Sequence, residues 1–260
     1  VETNQGMIAR QEVNLRNIES IPVYWKSLEE LAESPVIGII LAHELLDALP
    51  VERIVFRDKK ILRQGVQIIN NNSEYLLNFA CLPLPEELQV SIDEVSNYFG
   101  FNIPPNGAEE GWTSEWHIEL KDWFKKIAKI LKMGCLLIVD YALDSNRYYQ
   151  PGRFAGTLMA YRNNIGSLDI LNQPGYWDLT SHLCIDTLLF YANKNRWELL
   201  GNVLQGQALL ALGLSERLYS LQSLPSKDFV NALDRREALL RLVDPSGLGG
   251  FHWIAFKYIN

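Results

Sequence analysis

Val36-Ile-Gly-Ile-Ile-Leu-Ala42 carries no polar side chain and runs straight into His43-Glu44-Leu-Leu-Asp47. A run apolar on both faces predicts a central strand of a parallel sheet, since alternation disappears only where both faces are covered. Cys135-Leu-Leu-Ile-Val139 repeats the pattern and ends on Asp140-Tyr141. Before it, Trp116, Leu120, Trp123, Phe124, Ile127, Ile130 and Leu131 fall at helical spacing. That predicts a helix with Ser114 as N-cap and Gly134 as its stop, feeding the second strand as half of a βαβ unit.

Residues 51–80 have a different texture. Val51–Phe56, Ile61–Ile69 and Tyr75–Ala80 are β-rich runs separated by Arg57-Asp-Lys-Lys60 and Asn70-Asn-Asn-Ser73, which predicts an antiparallel meander. Pro83–Gly111 holds four prolines and reads as an irregular cover. Further on, the pattern predicts a strand over Leu199–Leu204 and helices over Gln207–Leu221 and Asp228–Val243. Phe251–Ile259 reads as a terminal buried strand. The fold class is α/β with a β-rich insertion.

Composition narrows the function classes. With 48% hydrophobic and 21% charged residues, the chain is neither disordered, coiled-coil nor collagen-like. A formal charge of -7 and the lack of a basic stripe argue against nucleic acid as partner. Cys81, Cys135 and Cys184 are far apart with no CxxC spacing, which points to a reducing, cytoplasmic setting without structural zinc. The apolar runs are too short to cross a bilayer, so no membrane association is expected.

Candidate chemistry clusters at strand ends. His43-Glu44-x-x-Asp47 resembles the H-E-x-x-H of zinc peptidases, with His43 and Asp47 on one helix face and Glu44 as base. Against a zinc hydrolase, the segment follows a buried strand and meets Pro50 within two turns. A polar cluster at the carboxyl end of a parallel strand is instead where open α/β sheets bind ligands, and Asp140-Tyr141 has the same standing. Two acid-tipped strands imply one shared cleft, with simple helix capping as the alternative. Gly156-Thr157 through Tyr161-Arg162, and Pro174-Gly175 through Asp178-Leu-Thr180, lie in loops placed for substrate contact, although Asp178 as a helix N-cap is equally economical. Glu2 is either a ribose-binding acid or an exposed terminal residue. Tyr24 and Trp25 stack on a base or fill the core. His117, His182 and His252 read as structural or exposed. No G-x-G-x-x-G, Walker A or G-x-S-x-G occurs, and Gly247-Leu-Gly249-Gly250 reads as a turn before the last strand.

Taken together, Leu41-Ala-His-Glu-Leu-Leu-Asp-Ala-Leu-Pro-Val51, Thr113-Ser-Glu115, Ile138-Val-Asp-Tyr141, Gly156-Thr-Leu158, Pro174 to Thr180, Gln207 with Ala211-Leu-Gly213, and Asp244 to Gly249 resemble MidA-like proteins in content and order. The resemblance implies a Rossmann-like class I S-adenosylmethionine-dependent methyltransferase fold with an antiparallel last strand. It implies methylation of an arginine side chain of a protein partner of the respiratory-complex-subunit type, with a homodimer left open. Residues 1–50 and 114–260 would form the Rossmann-like core, and 51–113 the insertion or cover. By resemblance Glu44, Asp47 and His43 are the catalytic set, and Glu2, Trp25, Ser27, Leu28 and His43 hold the cofactor. Asp140, Tyr141, Thr157, Arg162, Asp178 and Thr180 contact substrate, and no metal is implied. Most relatives carry Asn where this chain has His43 and Gly where it has Ala142. The family's glycine-rich first motif is absent from the sequence, which places a first strand upstream or leaves a non-catalytic binding or assembly module on the same fold.

Overall fold

A computed structural model describes residues 1–16, 18, 21–71, 74–221 and 229–259. Helices α1 (Gln5–Leu15) and α2 (Leu28–Glu33) precede strand β1 (Val36–His43). The meander follows as β2 (Glu52–Arg57), β3 (Lys60–Asn71) and β4 (Glu74–Leu82), then α3 (Glu86–Phe99) and β5 (Thr113–Trp116). Helix α4 (Glu119–Ile127) leads into β6 (Leu131–Asp140), β7 (Ala142–Leu143) and α5 (Ser145–Tyr148). A small hairpin, β8 (Met159–Arg162) and β9 (Ile165–Ser167), is joined by β10 (Asp178–Thr180), followed by β11 (Leu183–Cys184) and α6 (Ile185–Lys194). The remainder is β12 (Trp197–Leu204), α7 (Gln205–Ala211), α8 (Leu214–Ser220), α9 (Phe229–Arg241) and β13 (His252–Tyr258).

The principal sheet has the order β1-β6-β13-β12. Strand β1 runs parallel to β6, and β13 is antiparallel to both of its neighbours, as expected for the last strand of this fold class. A separate antiparallel sheet, β4-β3-β2-β5, is inserted in the chain between β1 and β6. Its first turn places Asp58 and Lys59 at positive φ, the two-residue hairpin geometry that matches strand twist. Residues 72–73 of the second predicted turn, and Asp228 of the last predicted helix, lie outside the described residues. The core lies on one face of the principal sheet, where Leu136, Ile138, Ile254 and Phe256 meet Leu120 and Phe124 of α4 and Leu188 of α6.

Four expectations are corrected. First, β1 is not central among the described strands. It forms an edge of the sheet, and Ile37, Ile39 and Leu41 are exposed while Ala42 is buried. Second, Ser114 is not an N-cap. It sits in β5, paired with Ile54, so the helix begins only at Glu119 and ends at Ile127. Gly134 is not a stop but lies within β6 opposite Gly38, whose carbonyl oxygen occupies the space a Cβ would need. Third, the proline-rich cover contains a 14-residue helix, α3. Pro85 precedes it, Gly100 closes it in the left-handed conformation, and Leu88, Ile92 and Val95 face the core. Fourth, the helix expected over Gln207–Leu221 is broken at Gly213, also left-handed, into α7 and α8. No helix of the described residues is long and apolar enough to cross a membrane.

Candidate active site

The tips of β1 and β6 are tied together by one buried carboxylate. Beyond His43 the chain does not form the predicted helix. Glu44 takes φ +45, donates its N–H to the Val139 carbonyl at 3.0 Å, and starts a tight turn. His43 and Asp47 therefore do not share a helix face. The turn buries Leu46 and brings the backbone N–H groups of Leu46 and Asp47 to Asp140 Oδ2, at 3.1 and 3.2 Å. Tyr141 donates its N–H to Asp140 Oδ1 at 2.9 Å. Those three bonds favour the charged carboxylate, but burial, reinforced by Asp47, wins and raises the Asp140 pKa to about 7. The Asp47 carboxyl is likewise pushed up, by burial and then by Glu44. Its Oδ1 is buried without a hydrogen-bond partner among the described residues.

A second buried carboxylate builds the opposite wall. Glu115 of β5 is wholly buried, with Arg53 Nε of β2 3.5 Å from Oε1. Its Oε2 accepts from the Thr157 N–H at 2.8 Å and from Thr157 Oγ1 at 3.2 Å. Arg53 Nη2 donates to the Ala155 carbonyl at 3.0 Å, so the pair clamps the 155–157 turn from both sides. Gly156 is required there, because it adopts φ +76 and the Glu115 carboxylate fills the space of a Cβ. Burial pushes the Glu115 carboxyl up, opposed by the Thr157 N–H and by Arg53. Thr157 Oγ1 accepts the His182 N–H at 3.1 Å, and the His182 carbonyl lies 2.8 Å from His117 Nε2. Burial drives the His117 pKa down to about 4, so it is neutral and Nε2 carries the proton donated to that carbonyl.

Between these walls lies a cleft of about 460 Å³. Glu44, Asp47, Tyr141, Thr157, Arg162, Asp178 and Thr180, all singled out from the sequence, line it together. Asp178 and Thr180 belong to β10, paired with β8, so Asp178 is not a helix N-cap. Asp140 stands directly behind the lining. His43 adjoins the cleft only through a 3.9 Å contact between its Nε2 and Glu44 Oε1. The remaining predicted residues lie away from it. Glu2 Oε1 accepts from the N–H groups of Thr3 and Asn4, Trp25 Nε1 donates to Gln11, Ser27 caps α2, and Leu28 packs on the core. Met159 and Tyr161 lie in the loop expected to contact substrate but were given no role, and sequence reasoning missed Asn163, Asn164, Ser181 and His182 in the lining and Glu115 behind it. The missed signal for Glu115 is a charged residue within the β-rich Thr113-Ser-Glu-Trp116, which needs a partner if the strand is buried. Among the described residues no group of three or more His, Cys, Asp or Glu could hold a metal, so the zinc reading of His43-Glu44-x-x-Asp47 finds no ligand set.

Residues 1–203 match the sequence model of a family described as "Putative S-adenosyl-L-methionine-dependent methyltransferase". The chain belongs to this family. Two solved structures from Burkholderia thailandensis share its fold. One, a "likely methyl transferase" bound to S-adenosyl-homocysteine, is 20% identical with a TM-score of 0.73, over 98% of this chain and 62% of that one. The other, an uncharacterized protein of the same superfamily, is 23% identical with a TM-score of 0.74, over 96% and 63%. The chain thus spans less than two thirds of the length of either. No curated protein matches it.

The family's cofactor fits these residues in part. Glu44 and Asp47 supply negative charge suited to a sulfonium and to a cationic acceptor. Glu2 and Ser27 bond to backbone N–H groups of Thr3 and Glu30, and Trp25 donates to Gln11.

Proposed function

We propose that this chain forms the acceptor side of an S-adenosylmethionine-dependent methyltransferase that modifies an arginine of a protein partner. The observation that carries this reading is the pair of carboxylates, Asp47 and Glu44, that line the cleft together beside Tyr141. A guanidinium is a cation whose N–H groups form strong, charge-assisted hydrogen bonds with carboxylates so placed. Asp47 and Glu44 orient the guanidinium, and the Tyr141 ring beside them offers a face for the planar cation. Burial raises the proton affinity of Asp47, which makes it a better acceptor for the proton the guanidinium must release. The bound cofactor supplies a methyl group on a cationic sulfur. The residues of this chain hold the acceptor nitrogen, draw on its proton and shield it within the cleft. The free thiols Cys81, Cys135 and Cys184 suit the reducing conditions of the cytoplasm.

The test is transfer of labelled methyl from S-adenosylmethionine to arginine-containing peptides, with the modified atom located by mass spectrometry. Asp47→Asn is expected to lower transfer by about 10²–10⁴-fold, the usual worth of a positioned acid or base. Unchanged transfer, or label on lysine instead of arginine, overturns the assignment. The engagement of Glu2, Trp25 and Ser27 in local contacts favours a second reading, a non-catalytic binding module on the same fold. Calorimetric titration of the folded chain separates the two, because saturable binding of S-adenosylmethionine and S-adenosylhomocysteine supports the enzyme and flat traces support the module.

A further inference from the structure

The cleft is lined by carboxylates and aromatic rings, with one cation, Arg162. Its surroundings are unlike those of the other arginine described near the site. Arg53 is spent on Glu115, whereas Arg162 makes no ion pair among the described residues, even though Asp178 lines the same cleft. Instead, Arg162 Nη1 donates to Gln173 Oε1 at 3.1 Å, and the guanidinium carbon lies 5.7 Å from the centre of the Tyr176 ring. A neutral amide and a ring face orient a guanidinium without neutralising it.

The backbone presents this group rigidly. Arg162 ends β8 and pairs with Ile165 of β9 across a two-residue turn in which Asn163 and Asn164 both adopt positive φ. That turn type fixes hairpin register. Gln173 is brought to Arg162 by its own left-handed backbone, at φ +48. A left-handed conformation in a side chain other than glycine costs energy and persists where the surroundings hold it. The remaining N–H groups of Arg162 keep the fork geometry that binds a carboxylate in two parallel hydrogen bonds.

We infer that Arg162, held by Gln173 and Tyr176, is an anion subsite that takes the carboxylate of an Asp or Glu flanking the target residue, so the substrate is a segment carrying an acidic side chain close to a cationic one. This rests on the reading that Asp47 and Glu44 receive a cationic acceptor. The two groups then divide the recognition, with the carboxylates selecting the residue to be modified and Arg162 selecting its sequence context. Opposite charges set a fixed distance apart also give register, since a segment shifted along the cleft would place like charges together.

The experiment measures affinity by fluorescence anisotropy for peptides with one Arg and one Glu at offsets of one to four residues, each matched to a Gln peptide. At one offset the Glu peptide is expected to bind at least tenfold more tightly. That advantage should vanish in Arg162→Gln and return in part in Arg162→Lys, which keeps the charge but loses the fork. Gln173→Ala should reduce it without abolishing it. Binding of the Gln peptides that depends on Asp47, with no Glu advantage at any offset, overturns the subsite alone. A Glu advantage that survives Arg162→Gln overturns it as well. If no peptide binds, or if binding ignores Asp47→Asn, the cationic-acceptor reading falls and the subsite falls with it.

Discussion

The tips of β1 and β6 share one pattern, an apolar run ending in a polar cluster with an acid, yet they behave oppositely. At β1, His43 and Glu44 stand largely in solvent, 3.9 Å apart, with Glu44 in a backbone conformation that a side chain seldom adopts. At β6, Asp140 is wholly buried and all three of its hydrogen bonds are to backbone N–H groups. Their neighbours make the difference. Strand β6 lies between β1 and β13, and its tip is closed over by the turn that follows β1, whose N–H groups reach Asp140. The lesson is that one tip builds the cleft while the other faces it. Glu115 belongs with Asp140, as a second buried acid that shapes a wall without lining it.

Four substitutions put this division to work, beginning with the largest effect. Glu115→Ala leaves Arg53 without its partner and frees the Gly156–Thr157 turn, so it is expected to cost about 3–5 kcal/mol in denaturant unfolding. A loss below about 1 kcal/mol would show that the pair does not hold that wall.

Asp140→Asn tests the other buried acid through pH. Because the folded-state pKa is raised from 3.8 to about 7, the folded protein binds more protons than the unfolded chain across that window. Stability from this group is therefore full at low pH and is lost as pH rises through the window. The Asn variant mimics the neutral form and has no such loss. Relative to wild type, it should gain by up to about 1.4 kcal/mol per pH unit between pH 4 and 7. Parallel stability curves for the two proteins would mean that Asp140 keeps an ordinary carboxylate pKa.

The smallest effects belong to the exposed tip. His43→Ala should change stability by less than about 0.5 kcal/mol, as for other exposed positions. Glu44→Gly removes backbone strain and is expected to stabilise the fold by about 0.5–1 kcal/mol while weakening binding of arginine peptides. Gain in one measurement with loss in the other is the mark of a side chain kept for ligand rather than fold. Weaker binding with no gain in thermal midpoint would place Glu44 among ordinary turn residues.

How far the chain was legible varies by element. The meander could be read closely because its alternation and its Arg57-Asp-Lys-Lys60 turn are local signals. Helix α3 escaped because its flanking prolines were read as breakers, although Leu88, Ile92 and Val95 already had helical spacing. In β5 the reverse happened. Trp116 joined the periodicity of the following helix, and only pairing with β2 shows that residues 113–116 are extended. At the site, Glu44, Asp47, Tyr141 and Arg162 could be found because each follows or ends an extended run facing one side of the fold. Glu115 and His182 carried no such signal, since their places depend on partners 42 and 25 residues distant in sequence.

Sequence alone determined the α/β class, the two acid-tipped strands and the family, because hydrophobic periodicity and ordered local motifs are properties of neighbours along the chain. Tertiary structure alone decided which acid is buried and which is exposed, that Asp140 and Glu115 support the cleft from behind, and that Arg162 stands without a carboxylate partner among the described residues. Those outcomes depend on desolvation and on hydrogen bonds between segments far apart in the chain, and neither is written in the order of residues.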